Sequence, residues 1–247
     1  MYSAASKLVY VGVQPFAIAN NQLFLLLGRE REVSSTEDER GLWSDFGGGP
    51  DRDELNDPLR GATRECYEES MGLLGNKEEI RQGIISTYCK YPNLLGDEHP
   101  HTDCSCIKTS GLSFARRVKS ERQRQKDDKD GGEGIPCILM KSLEKNTYAV
   151  VFLMQISYDK NLPKQFRNVF QYGHPCFKKQ NSGHCEGSWE KDDAIWIPLP
   201  SSCKDIDDIK QSLYSSIGAG GMRKEYEESF CHLCSALASK ISQLESI

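Results

Sequence analysis

Residues 48–73 read GGPDRDELNDPLRGATRECYEESMGL, and the second half of that stretch decides how the chain is built. Asp57 is a good N-cap, and Pro58 suits the first helical position, where a missing N–H costs nothing. Leu59, Ala62, Cys66 and Leu73 then recur at spacings of three, four and seven, laying one apolar stripe along a helix. Gly72 is the expected C-cap. The spacing predicts a helix over residues 58–71, roughly 20 Å long at about 1.5 Å per residue. Ahead of it, Gly47-Gly48-Gly49-Pro50 is expected to lie outside regular structure.

Arg64, Glu65, Glu68 and Glu69 stand on the side of this helix opposite the stripe. Glu65 lies three residues from Glu68 and four from Glu69, so all three carboxylates project together. Like charges at that spacing repel by a few tenths of a kcal/mol each, roughly. A divalent cation reverses the sign of that interaction. Carboxylate oxygens suit hard ions such as Mg²⁺ or Mn²⁺, and Mg²⁺ shares its shell with water and substrate phosphates. Arg64 is placed to pair with a glutamate and hold its rotamer. Alone, such a string is most often a solvated helix face. The buried stripe behind it and the triple glycine before it set this one apart.

Upstream, residues 8–19 are rich in β-branched and aromatic side chains, Asn20-Asn21 signals a turn, and residues 22–27 form a second strand, closed by Gly28 and Arg29. Residues 30–40 are charged and read as a solvated loop. Downstream, residues 84–88 read as a strand, 89–146 as less regular, 148–158 as a strong buried strand and 160–188 as irregular. A short strand at 194–197 and helices at 205–217 and 223–244 complete the pattern. This order predicts an α/β (α+β) fold, a mixed sheet sandwiched between helices. One domain over residues 1–247 is expected, with long insertions at about 89–146 and 160–188 and C-terminal helices over 205–247.

Composition narrows the function. Lys and Arg total 31 against 36 Asp and Glu, a net charge of −5, which excludes a basic nucleic-acid coat over the whole surface. The apolar runs, such as the five residues 23–27 and the seven residues 148–154, fall far short of the about 20 that a membrane-spanning helix needs. The N-terminus lacks the hydrophobic region of a signal peptide. An intracellular, cytoplasmic protein is expected, and its ten cysteines are expected to be reduced thiols.

The stretch 48–73 resembles the Nudix box of the Nudix hydrolases. That box reads Gly, five residues, Glu, seven residues, Arg-Glu, an aliphatic, any residue, Glu-Glu, any residue, Gly, an aliphatic. Gly48 and Glu54 keep the first spacing; Arg64, Glu65, Glu68 and Glu69 match the helical part; Gly72 and Leu73 match the end. Nine residues rather than seven separate Glu54 from Arg64, which lengthens the loop and bears on the role of Glu54. Two residues, Ser70 and Met71, rather than one precede Gly72, which is expected to lengthen the helix end. Cys66 replaces an aliphatic residue. Outside the box, residues 25–29 resemble the strand that ends in a basic residue, and residues 41–48 resemble the family's entry, with Asp45-Phe46 in place of Leu-Pro. Glu190 ahead of Trp196 resembles the later acidic segment.

The resemblance implies a metal-dependent hydrolase that cleaves a phosphoanhydride bond in a nucleoside diphosphate linked to another moiety, by water attack on phosphorus. Mg²⁺ or Mn²⁺ would be the cofactor. Glu65, Glu68, Glu69 and the carbonyl of Gly48 would bind metal. Glu65, Arg64 and Glu190 would serve catalysis, with Glu186 second to Glu190 as the distant acid. Arg29 and Trp43 would contact a nucleotide-like small-molecule substrate. The alternative is a catalytically silent Nudix fold that binds a nucleotide or a partner.

Weaker signals remain. His99, His101, Cys104 and Cys106 are zinc-type ligands at a spacing that matches no established pattern, and Cys231, His232 and Cys234 fit helix packing better. Residues 116–126 hold six basic side chains against Glu121, which admits RNA as a partner, but the acidic run from Asp127 favours a solvated loop.

Overall fold

A computed structural model describes residues 7–31, 41–91, 111–118, 135–142, 146–172, 190–199, 206–217, 221–223 and 226. The expected hairpin is present. Strand β1 (Lys7–Ala19) turns into β2 (Gln22–Glu30) through Asn20 and Asn21, whose φ angles of 51° and 56° are both left-handed. A two-residue turn of that kind carries the right-handed twist that the flanking strands need, and asparagine tolerates it. β2 runs on past Leu27 to Glu30, so Gly28 and Arg29 lie inside the strand rather than at its end.

Two short strands follow, β3 (Trp43–Ser44) and β4 (Phe46–Gly48). The second overturns the expectation that the glycines start an irregular segment. Gly47 pairs with Gly12 across the β1–β4 ladder. A Cβ on Gly47 would lie 2.5 Å from the Gly12 Cα, so only facing glycines allow this approach.

Helix α1 (Pro58–Glu69) has Asp57 as N-cap and buries Leu59, Ala62 and Cys66 as the stripe requires. It ends two residues earlier than its spacing predicts. The Met71 amide donates to the Glu68 carbonyl (3.1 Å) and the Gly72 amide to the Tyr67 carbonyl (2.9 Å). These are the paired bonds of a Schellman turn. The extra residue before Gly72 is thus absorbed in the turn and does not lengthen the helix. Met71 takes the left-handed position (φ 54°) that glycine usually fills, and its side chain is fully buried. Burying a side chain of that size contributes about 1.5–3 kcal/mol, enough to offset the backbone strain.

Helix α2 (Lys77–Lys90) replaces the strand expected at 84–88. Ile84, Ile85 and Tyr88 are strand-forming residues by type, but Ile80, Ile84, Thr87 and Tyr88 are buried at helical spacing. A capping box decides the start: Asn76 Oδ1 accepts from the Glu78 and Glu79 amides (3.0 Å each), and Glu79 Oε2 accepts from the Asn76 amide (2.7 Å).

The stretch read as less regular contains β5 (Gly111–Val118) and β6 (Ile135–Ser142), which pair with each other. β7 (Thr147–Gln155) is the strong buried strand. Helix α3 (Leu162–Tyr172) lies within the segment read as irregular, with Leu162 and Phe166 buried. β8 (Lys191–Leu199) is longer than expected, and α4 (Ile206–Ile217) falls where expected. The expected C-terminal helix lies outside the described residues apart from Arg223 and Tyr226.

Eight strands form one mixed sheet in the order β3-β2-β1-β7-β6-β5, with β4 on β1 and β8 on β2. Only β1 and β7 run parallel among the described pairs. Helices α1 and α2 pack on β1, β4 and β7, while α3 and α4 pack on β8, which gives the expected mixed α/β class. Phe16, Leu25, Leu26, Leu27, Phe46, Phe152 and Phe166 form the centre of the core. Among the described residues no helix is long and apolar enough to cross a membrane. This arrangement brings together the end of β2, the start of β8, the β4–α1 loop and the last turn of α1.

Candidate metal and catalytic site

Arg64 is the hub of the α1 side of the site. Its Nε and Nη2 donate to the two oxygens of Glu54 (3.0 and 2.9 Å), and Nη2 also reaches the Gly49 carbonyl (3.1 Å). Nη1 donates to Glu68 (3.0 Å), and Nη2 lies 2.8 Å from Glu65 Oε1. Glu54 therefore meets Arg64 despite the two extra loop residues. Burial pushes the Glu54 carboxyl up, but the hydrogen bonds from Arg64 and from the Asp51 amide outweigh it and hold it below its ordinary value. A bidentate guanidinium–carboxylate pair of this kind fixes geometry as well as charge. It ties the loop after β4 to the middle of α1.

Glu65 rests against Gly48. A Cβ on Gly48 would lie 2.8 Å from Glu65 Oε2, so the glycine makes room for the carboxylate. Burial, with Glu68 and Glu190 adding to it and Arg64 opposing, pushes the Glu65 carboxyl up to about 7. Glu68 is the outermost of the three and also lies 3.4 Å from Lys77 Nζ.

Glu69 points elsewhere, into the fold. It is 1% exposed. Its Oε2 accepts from the Gly47 amide at 2.5 Å, while among the described residues its Oε1 has no hydrogen-bond partner. Glu30, at the end of β2, and Glu190, just before β8, bring carboxylate oxygens to within 4.8 Å of one another and of Glu69. Glu69 and Glu190 are both pushed up, by burial first and then by neighbouring carboxylates, with Lys191 opposing.

A lysine sits inside this group. Lys191 is 0% exposed, and its Nζ donates to Glu30 Oε1, lies 2.6 Å from Ser44 Oγ and 3.6 Å from Glu69 Oε1. Ser44 Oγ is 2.9 Å from Glu30 Oε1, and Arg223 Nη1 is 3.8 Å from the same oxygen. Burial alone would push the ammonium down, but Glu69 and Glu30 outweigh it and the lysine stays protonated. A register shift between Arg29 and Glu30 in the β2–β8 ladder places Lys191 opposite Glu30. Such irregularities commonly re-aim a side chain.

One further acid lies beneath. Asp45 is 1% exposed, and Tyr10 donates its hydroxyl to Oδ1 at 2.7 Å. Its Oδ2 has no hydrogen-bond partner among the described residues. Burial pushes this carboxyl up to about 6, with the Tyr10 hydrogen bond, Lys191 and Arg223 opposing.

The residues singled out from sequence thus divide into groups. Glu69 and Glu190 meet in the carboxylate cluster, while Glu65 and Glu68 are held by Arg64, with Gly48 behind Glu65. Arg29 is half-exposed, its Nε 2.8 Å from Asp192, and its guanidinium lies 5.9 Å from the centre of the Trp43 ring. Trp43 is 6% exposed, packed as a core residue. Glu30, Lys191 and Asp45 were not anticipated. Extending β2 by three residues would have pointed to Glu30, because alternation places it on the face of Gly28. Glu186, the His99–Cys106 and Cys231–Cys234 clusters and most of the basic segment lie outside the described residues, and no side chain is described for Arg116, Arg117 or Val118.

No family model matches the chain, and no curated protein matches it significantly. Among solved structures, it is similar to the Nudix domain of Shewanella oneidensis NrtR complexed with ADP ribose, at 13% identity and a TM-score of 0.38, over 94% of this chain and 89% of that one. It is also similar to a C. elegans Ap4A hydrolase in a binary complex, at 13% identity and a TM-score of 0.37, over 96% and 99%. Shewanella oneidensis NrtR itself follows at 14% identity and a TM-score of 0.30, over 97% and 85%. These likenesses are distant, and the functional reading rests on the residues and their geometry.

Proposed function

We propose that this chain is a Nudix-type, divalent-metal-dependent pyrophosphohydrolase acting on a nucleoside diphosphate linked to another moiety. One observation carries the reading. The last residue of the motif helix presents a buried carboxyl group, one oxygen of which has no hydrogen-bond partner among the described residues, and the group lies beside two further carboxylates. The Lys191 ammonium, 3.6 Å from that oxygen and shared with Glu30, offsets part of the cost of burying it, and a divalent cation would offset the rest. The donor set is all oxygen, which suits Mg²⁺ or Mn²⁺. Glu69 and Glu190 would hold the ion with Glu30 behind them, and Glu65 and Glu68 face the substrate side.

An ion held there supplies charge neutralisation for a diphosphate and lowers the pKa of a bound water. The chain's own residues supply the rest. Arg64 keeps Glu54, Glu65 and Glu68 in register. The Gly47 amide fixes the rotamer of Glu69. Glu190, the solvent-facing member of the cluster, accepts the proton of the attacking water on a carboxylate oxygen. Arg29, half-exposed at the rim, meets a phosphate. The same reading treats residues 1–247 as one domain.

A panel of nucleoside triphosphates, nucleotide sugars, dinucleoside polyphosphates and capped RNA, each with Mg²⁺ and with Mn²⁺, tests the proposal through the phosphate products released. The expected result is hydrolysis that requires the divalent ion and falls by about 100-fold or more in Glu69→Gln with an unchanged melting profile. Near-normal turnover in both Glu68→Gln and Glu69→Gln at saturating Mg²⁺ refutes it. A second reading, a binding module without turnover, is favoured by the ammonium of Lys191 already lying among the carboxylates. Nucleotide binding without any hydrolysis in the same panel would select it.

A further inference from the structure

Lys191 is built into the carboxylate cluster by three separate features. The register shift at the β2–β8 edge turns it inward, opposite Glu30. Its stem crosses Gly28, where a Cβ would lie 3.0 Å from its Cδ and 3.1 Å from its Cγ. Glycine inside a strand weakens that strand, and here the missing side chain is the passage the lysine runs through. The ammonium then lies between Glu30, Ser44 and Glu69, fully buried. Three carboxylates with oxygens within 4.8 Å of one another would otherwise attract cations from solution, and a single positive charge already stands among them.

We propose that Lys191 is a resident cation of this cluster. Its ammonium takes, between Glu30 and Glu69, a place that a divalent ion would otherwise fill, so the native chain loads fewer divalent ions than its carboxylates allow. The ion site itself rests on the functional reading above, but the role of the lysine does not require turnover. Lys191 thereby acts as a positioning residue. It holds the inner carboxylates apart from solution cations and leaves the Glu69–Glu190 side as the place for an exchangeable ion.

Lys191→Met keeps the length of the stem and removes the charge. Chelator-stripped native chain and variant are titrated with Mn²⁺ at pH 7.5, and free Mn²⁺ is read by electron paramagnetic resonance, with the melting profile recorded alongside. The expected result is at least one additional Mn²⁺ per chain, or binding tighter by about tenfold or more, since one positive charge a few ångströms from the site is gone. Lys191→Arg, which keeps the charge, should load as the native chain does. Lys191→Gln is the second probe, because it removes the charge while keeping a polar group beside Ser44 and Glu30, and it should also raise Mn²⁺ loading. Unchanged number and affinity in Lys191→Met, or in Lys191→Gln where the first variant does not fold, overturns the proposal. Additional Mn²⁺ in the variant supports it whether or not any nucleotide is hydrolysed. Native chain that binds Mn²⁺ but turns over no nucleotide counts against the enzyme reading alone.

Discussion

Replacing Asp45 with asparagine should make the fold more tolerant of alkaline conditions, by an amount that the site itself sets. The carboxyl titrates at about 6 in the fold, against 3.8 ordinarily, chiefly because it is buried. Ionising it inside the fold therefore costs about 3 kcal/mol more than ionising it in the open chain. The sign follows from linkage. Below about pH 3.8 the group is neutral in both states and imposes nothing. As pH rises toward 6 the unfolded chain ionises first and gains, and stability is lost. Above about 6 the loss is constant. Asparagine resembles the neutral acid in shape, and its Oδ1 still accepts from the Tyr10 hydroxyl. The gap in stability between Asp45→Asn and the native chain should therefore widen by about 2 kcal/mol between pH 4.5 and pH 8. Urea unfolding followed by tryptophan fluorescence, in chelator and at matched ionic strength, measures it. Comparing the two proteins at each pH cancels the shared contribution of the other carboxylates. Parallel curves for the two proteins across that range would show that Asp45 is not a buried, costly charge, and the account of its environment would fail.

Two further predictions concern the α1 side of the site. Gly48→Ala places a Cβ 2.8 Å from Glu65 Oε2, so hydrolysis should drop by about 100-fold with little change in melting temperature; unaltered kcat/KM would show that the Glu65 position is not demanding. Arg64→Lys cannot reproduce the bidentate contact with Glu54 while also holding Glu65 and Glu68, so thermal or urea unfolding should show a loss of about 2–3 kcal/mol, and an unchanged midpoint would contradict the hub described for Arg64.

How much of this was legible in the chain depends on whether the signal was local. The α1 helix, its N-cap and its buried stripe followed from spacing, because a helix is set by residues three and four apart. The β1–β2 hairpin followed from two adjacent asparagines. The α2 helix was misread because Ile84, Ile85 and Tyr88 favour strands by type, while the capping box from Asn76 to Glu79 overrides that preference. β4 was missed because its partner is glycine: the close approach of Gly47 to Gly12 is a property of two segments 35 residues apart in the chain. Within the site, Arg64, Glu65, Glu68 and Glu69 shared a short motif and were visible. Glu69 separates from the other two because α1 ends there and its side chain turns inward. Glu30 and Lys191 are brought together only by the β2–β8 ladder, and nothing within either segment announces the other.

The facing glycines of β1 and β4 have a consequence for anyone surveying substitutions across this chain. Gly47 touches Gly12 on one side and delivers its amide to Glu69 on the other. Any side chain at position 12 would also meet Asp45 Oδ2, at 2.6 Å for a Cβ. Gly12 carries no reactive atom, yet a residue larger than hydrogen there would shove the strand that aims Glu69. In a saturation scan scored on turnover, position 12 should look as intolerant as a ligand, and ranking positions by intolerance alone would mistake a spacer for chemistry.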